Sequence, residues 1–179
     1  MNERKRPEVQ KAASCLQSIF EASGKRSLIV TGEKQSGKTT VLQAMLAGKS
    51  LPGFQTHLQT DAVHQSRSVW LTDNLTQETA QIGQVENGVM TPVLSGFETL
   101  GLKAVAAAEC AESEFALIDE LGFLESNCPA FCDAVTHLFT VKRLFAVVRK
   151  QALPFLDALK QREDVCCVDL DALYETMLL

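Results

Sequence analysis

No apolar run in the 179-residue sequence approaches the roughly 18 consecutive residues of a bilayer-spanning helix, so no membrane span is expected. The opening Met1-Asn2-Glu3-Arg4-Lys5-Arg6 is charged and leads into a mixed polar segment without the apolar core of a secretory signal, and a cytoplasmic location is expected. Basic residues are in short supply. Lys and Arg number 17 against 22 Asp and Glu, a net charge of −5, which disfavours a broad nucleic-acid-binding face. The six cysteines include no Cys-x-x-Cys pair and no Cys/His spacing of a zinc site. In a reducing compartment they read as small buried apolar groups rather than disulfides or ligands, with Cys166 and Cys167 pointing to opposite faces of a strand. Repeats, low-complexity tracts and disordered linkers are also missing. What remains is a chain of single-domain size, 1–179, able to bury about 70% of its unfolded surface.

The most informative feature is Gly32-Glu33-Lys34-Gln35-Ser36-Gly37-Lys38-Thr39, directly after the apolar run Leu28-Ile29-Val30. The pattern G-x-x-x-x-G-K-[ST] between a strand and a helix is a phosphate-binding loop. Its backbone N–H groups curl around phosphates, Lys38 reaches the β- and γ-phosphates, and Thr39 offers its hydroxyl to Mg²⁺. Gly32 and Gly37 supply turns that side chains would obstruct, and the helix opening at Lys38 directs unpaired N–H groups at the anion. Thr40 adds a second hydroxyl. Lys34 and Gln35 are expected to point outward and serve the phosphates only through their backbone.

Around this unit the periodicity predicts alternating helices and strands. Pro7 to Ala22 is an amphipathic helix stopped by Gly24, and it places a helical extension, 1–26, ahead of the first strand. Ser27–Thr31 is that strand, and Lys38–Ala47 is the helix after the loop. From Lys49 to Thr91 the pattern is polar and irregular, with strands suggested only at Ser68–Leu71 and near Gly88–Val93. Helices follow at Ser95–Ala111, Pro129–Phe139, Pro154–Gln161 and Leu170–Leu179, separated by strands at Phe115–Ile118, Arg143–Val148 and Val165–Val168. Such alternation predicts an α/β fold, a mainly parallel sheet sandwiched by helices.

The strand Phe115–Ile118 runs into Asp119-Glu120, which places two carboxylates at the C-terminal sheet edge where ligands of open α/β folds bind. There Asp119 would hold Mg²⁺ and Glu120 would orient, or take a proton from, a water attacking the γ-phosphate. Gly32 to Thr40, Gly53-Phe54-Gln55-Thr56 and Ile118 to Glu125 together resemble the small P-loop nucleoside-triphosphatases first recognised in thermophiles. Their second motif reads as an apolar strand, Asp-Glu, an aliphatic residue, Gly, two further residues and Glu. Phe131 matches a Phe found a little later. The resemblance spans roughly Ser27 to Val168. It implies a RecA-like or kinase-like core that slowly hydrolyses ATP, GTP and other nucleoside triphosphates with Mg²⁺, and a place for Glu125 in the site. His57-Leu58-Gln59-Thr60-Asp61 stand where family members commonly carry Glu-x-Arg, and the N-terminal helix is an addition to the simplest members.

Several residues keep two readings. Glu125 is either part of the site or a helix-start carboxylate favoured by the dipole. Arg149, after the strand ending at Val148, either senses phosphate and stabilises the transition state or belongs with Lys150 to a solvated basic loop. Arg67, His57 and His64 fall where a lid or substrate loop is expected, although exposed polar residues are usually solvated. Trp70 reads as core packing. The function itself also has competitors: a small-molecule or nucleotide kinase with the same loop, or a nucleotide-operated switch or assembly factor for an unidentified protein partner. A small regulatory GTPase is disfavoured because no Asn-Lys-x-Asp stretch occurs.

Overall fold

The computed structural model describes residues 6–61 and 66–177. In chain order the elements are α1 (Arg6–Ser23), β1 (Ser27–Thr31), α2 (Lys38–Met45), β2 (Gly53–Asp61), β3 (Ser66–Asp73), β4 (Thr79–Glu86), β5 (Val89–Pro92), α3 (Leu94–Gly96), a π-helical turn (Phe97–Gly101), α4 (Leu102–Cys110), β6 (Phe115–Leu121), α5 (Pro129–Val141), β7 (Arg143–Val148), α6 (Pro154–Lys160), β8 (Val165–Asp169) and α7 (Leu170–Met177).

Strands that are apolar at successive positions fit only where both faces are covered. β1 is buried along its whole length and β7 from Leu144 to Val148, and both lie inside an eight-stranded sheet of order β5-β4-β3-β2-β6-β7-β1-β8. β2, β6, β7, β1 and β8 run parallel. Because successive side chains alternate, these strands feed two cores. Leu28, Val30, Phe145, Val147 and Val168 pack with α1, α2 and α7, whereas Ile29, Ile118, Leu144, Ala146 and Val148 pack with α4, α5 and α6. The N-terminal helix is an integral wall of the first core, with Ala12 and Leu16 fully buried. Gly24, at φ 64, supplies the left-handed residue that ends it.

The segment read as irregular is an ordered antiparallel arm. β2, β3, β4 and β5 pair in sequence, and the sequence reading missed β2 and β4 entirely. Their residues carry few apolar side chains because only one arm face is covered. Val69, Leu71 and Ile82 pack against the α4–α5 side, and no described residue of β3, β4 or β5 joins the other core. Asn87 and Gly88, both at positive φ, make the two-residue turn between β4 and β5. Three phenylalanines fasten the arm to the helices: the ring of Phe131 lies 5.5 Å from that of Phe54 and 5.0 Å from that of Phe97. Each is fully buried, at about 1.5–3 kcal/mol apiece.

β2 belongs to both halves. Gly53, Phe54 and Gln55 pair in parallel with Leu117, Ile118 and Asp119, and beyond Gln55 the strand runs on with β3 alone. It therefore carries the arm past the C-terminal edge of the parallel strands. Joining requires a close backbone approach, since a Cβ on Gly53, at φ 129, would lie 2.0 Å from the carbonyl oxygen of Leu117. Gly53→Ala should cost on the order of 3 kcal/mol or more in urea denaturation, through backbone strain and overpacking together. Gly48, also at positive φ, has open space around it, and Gly48→Ala should cost only about 1 kcal/mol.

Candidate active site

The loop between β1 and α2 is bound together by its own lysine. Lys38 is buried, and its Nζ donates to the carbonyl oxygens of Gly32 at 3.1 Å and Glu33 at 2.7 Å. Gly37, at φ 91, opens α2 in a conformation that side chains resist. Lys34 and Gln35 are exposed. The N–H of Glu33 is engaged sideways, donating to Oδ2 of Asp171 at 2.8 Å. Two buried hydroxyls, Thr31 Oγ1 and Ser36 Oγ, have no hydrogen-bond partner among the described residues. The loop's backbone N–H groups, that of Ser36 resting on the Glu33 carbonyl at 3.2 Å, together with a lysine ammonium and spare hydroxyls offer the donor types that an oxyanion requires.

Strand order sets what faces this loop. β7 alone separates β1 from β6, so of the two expected strand orders the sheet has the RecA-like one. It brings Asp119 to the first turn of α2, where Thr39 Oγ1 donates to Asp119 Oδ1 at 2.9 Å. Asp119 is only 5% exposed, and burial pushes its carboxyl up to about 6; the Thr39 hydrogen bond and the nearby Lys38 charge oppose that shift without cancelling it. A buried carboxylate beside a hydroxyl, short of positive partners, suits a hard divalent cation that takes its remaining ligands from phosphate and water. Among the described residues no group of three or more acidic, His or Cys side chains forms a metal cage. Thr39 and Asp119 are the pair of oxygen donors that could hold such a cation, a set that fits one arriving with a phosphorylated substrate.

The register shifts between Asp119 and Leu121, so Glu120 is offset from the ladder with β7. Thr56 of β2 holds its backbone from the other side: the N–H of Glu120 donates to Thr56 Oγ1 at 3.2 Å, and that hydroxyl faces the Glu120 carbonyl at 3.4 Å. The Glu120 side chain forms an ion pair with the guanidinium of Arg149. Arg149 in turn lies along Gly122, where a Cβ would meet its Cδ at 3.0 Å. Glu125 completes the group. It is buried, its Oε2 accepts the N–H of Gly122 at 2.8 Å, and burial drives its carboxyl up to about 7 although Arg149 pulls the other way.

The fold thus gathers Gly32, Ser36, Gly37, Lys38, Thr39, Asp119, Glu120, Glu125 and Arg149 at one sheet edge. Thr40 lies half-buried on the same first turn of α2. His57 and Arg67 are exposed on the β2–β3 hairpin, paired with Trp70 and Thr60, and His64 falls outside the described residues. Trp70 is half-buried on the uncovered arm face rather than in a core, and its Nε1 donates to Ser68 Oγ at 2.9 Å. Of the cysteines only Cys128 and Cys166 are buried, while Cys110 and Cys167 are exposed, so the buried reading does not extend to all six. Sequence reasoning missed the roles of Thr56 and Asp171. Thr56 carried a signal, as the last residue of Gly-Phe-x-Thr. Asp171 carried none, because its link to the loop spans 138 positions.

Both shifted carboxyls are raised, so their neutral forms are the ones the fold favours. Each adds stability below its unfolded value, and that stability is lost as pH rises through about 6 for Asp119 and about 7 for Glu125. Through these two groups the ligand-free protein should therefore lose stability between about pH 4 and pH 7. Glu125→Gln should flatten the upper part of that profile and raise stability at pH 7.5 by on the order of 2 kcal/mol, read from denaturation midpoints.

A comparison with curated proteins gives no match. Among solved structures the fold is similar to THEP1 from the hyperthermophile Aquifex aeolicus, with a TM-score of 0.64 and 18% identity over 84% of this chain and 96% of that one. Residues 27–174, which run from the loop strand through the acidic strand to the helix against the loop, match a family model described as NTPase. With the phosphate-loop sequence facing a buried acidic strand inside that span, the chain belongs to the NTPase family.

Proposed function

We propose that the protein binds a nucleoside triphosphate with Mg²⁺, ATP or GTP, and hydrolyses it slowly to the diphosphate and inorganic phosphate. The observation that carries this reading is the hydrogen bond from Thr39 to Asp119, which joins the loop to a carboxylate strand whose next residue is Glu120. The amides of residues 34–39 and the Lys38 ammonium hold the β- and γ-phosphates, Lys38 exchanging its loop carbonyls for phosphate oxygens. Thr39 and Asp119 hold Mg²⁺, which when bound neutralises charge on the phosphates and helps align them for in-line attack.

Glu120 and Arg149 act as a pair. While the guanidinium occupies the Glu120 carboxylate, that carboxylate is not free to accept a proton from water. The γ-phosphate offers Arg149 a more highly charged partner, and the guanidinium moving toward it stabilises the charge of the transferring phosphoryl group. Glu120 is then released toward the attacking water, its backbone still fixed by Thr56. Glu125 stays behind as the clamp on the Gly122 turn.

Lys38→Ala should abolish measurable nucleotide binding, whereas Glu120→Gln should bind ATP normally and lose about 10²–10⁴-fold in turnover. Phosphate release and binding measured side by side separate the two, and wild-type turnover in Glu120→Gln would remove Glu120 from the mechanism. Arg149→Ala should lower kcat at least about 100-fold with less effect on binding. Because Asp119 must be ionised to hold a cation, the Mg²⁺ concentration for half-maximal activity should rise about tenfold per pH unit below about 6.

A further inference from the structure

The ends of the phosphate chain can be told apart. The cation and γ-phosphate groups, Asp119, Glu120 and Arg149, belong to the β6 side of the loop. In the order β6-β7-β1-β8 the far side of the loop is formed by β8 and the helix that follows it. A triphosphate laid in the loop with its γ end toward β6 therefore presents its nucleoside to β8 and α7.

α7 lies directly against the loop there. Asp171, in its first turn, accepts the Glu33 N–H at 2.8 Å, and Lys150 bridges Asp171 and Asp169 at 3.7 and 2.8 Å. Three residues on, hence on the same helix face, stands Tyr174, the only tyrosine of the chain. Its hydroxyl lies 3.8 Å from the point a Cβ on Gly37 would occupy, over the loop glycine that opens α2. The ring is partly exposed and packs on the core shared with α1, and among the described residues its hydroxyl has no hydrogen-bond partner. Burial and the nearby Glu8 hold that hydroxyl in its protonated form, a neutral donor.

We propose that Tyr174 is the nucleoside-binding residue of the site, its ring forming the wall against which ribose and base rest while the phosphates occupy the loop. This rests on the nucleotide reading above. An aromatic wall stabilises any base through its face and does not read hydrogen-bonding edges, which agrees with the lack of an Asn-Lys-x-Asp stretch. Tyr174 thus separates nucleoside triphosphates from bare polyphosphate without choosing strongly among bases.

The test compares full-length wild type, Tyr174→Leu and Tyr174→Phe for calorimetric binding of ATP, GTP and inorganic tripolyphosphate, each with Mg²⁺. Tyr174→Leu should weaken ATP and GTP alike by about tenfold or more and leave tripolyphosphate within about twofold of wild type. Tyr174→Phe, which keeps the ring, should stay within about threefold for all three ligands. Unchanged tripolyphosphate binding also reports an intact loop, so misfolding cannot imitate the expected result. Equal loss of ATP and tripolyphosphate in Tyr174→Leu overturns the proposal, because the ring would then only shape the loop; unchanged ATP binding overturns it as well. Wild type that binds tripolyphosphate no more weakly than ATP shows that the nucleoside is not read, and it overturns the role of Tyr174 while sparing the loop. Wild type that binds neither ligand overturns the nucleotide reading itself, and the proposal with it.

Discussion

The burial of the Asp119 carboxylate is the constraint on which the rest of the site depends. A carboxylate removed from water is costly unless it is paired or given hydrogen bonds. Here it has one hydroxyl, from Thr39, and among the described residues no salt bridge. Thr39 and the nearby Lys38 compensate the charge only in part, and burial raises its carboxyl to about 6. Such a group gains most from a divalent cation. The strand order is what allows the arrangement, since β6 must lie close enough to α2 for Thr39 to reach it, yet with β7 between to keep both strands buried. Glu125, just past the end of β6, repeats the pattern, so two carboxyls at one edge are held in environments that favour their neutral forms. Stored instability of this kind is common where charge is to be supplied by a ligand.

The loop is held from its outer side as well. Asp171 takes the Glu33 amide, Lys150 ties Asp171 to Asp169, and these three residues come from α7, the end of β7 and the end of β8. Lys150 is exposed, and a surface pair of this sort adds little energy by itself. Its effect is geometric. The loop hangs between a carboxylate on one side, Asp119 through Thr39, and another on the opposite side, Asp171 through Glu33, so its curvature does not depend on phosphate to form. Pre-formed amide cradles avoid the ordering cost that a flexible loop meets at binding.

The residues whose roles follow from local pattern were legible in the sequence. Gly32 to Thr39 is a contiguous motif, β1 and β7 are short apolar runs, and the closing β/α alternation has the periods of its elements. The arm was not legible for a physical reason. β2 shows the alternation of a half-buried strand only weakly, because past Phe54 it leaves the covered part of the sheet and carries polar residues on both faces. β4 is Thr-Ala-Gln-Ile-Gly-Gln-Val-Glu, with a single fully buried aliphatic residue, Ile82, and a register shift opposite it in β3. Neither strand contains the dense β-branched stretch that betrays an interior position. The partners of the site residues were hidden differently. Arg149 could be placed at the right sheet edge, but that its guanidinium would sit on Glu120, 29 positions away, depends on two strand ends meeting.

The arm and the chemistry meet at one residue. Thr56 is the first position of β2 beyond its short parallel ladder with β6, and its hydroxyl engages both the N–H and the carbonyl of Glu120. A backbone group held on both sides cannot rotate without breaking two contacts, so the Glu120 side chain has its freedom only beyond Cβ. That freedom is what the proposed exchange of partners from guanidinium to water would use. The same contact makes Glu120 sensitive to where β2 lies, and β2 is held in turn by Phe54 against Phe131 and by the approach of Gly53 to Leu117. The polar, half-covered arm therefore sets the position of the Glu120 backbone. Its weak hydrophobic signature does not make it peripheral, since Thr56 ties it directly to the backbone of Glu120.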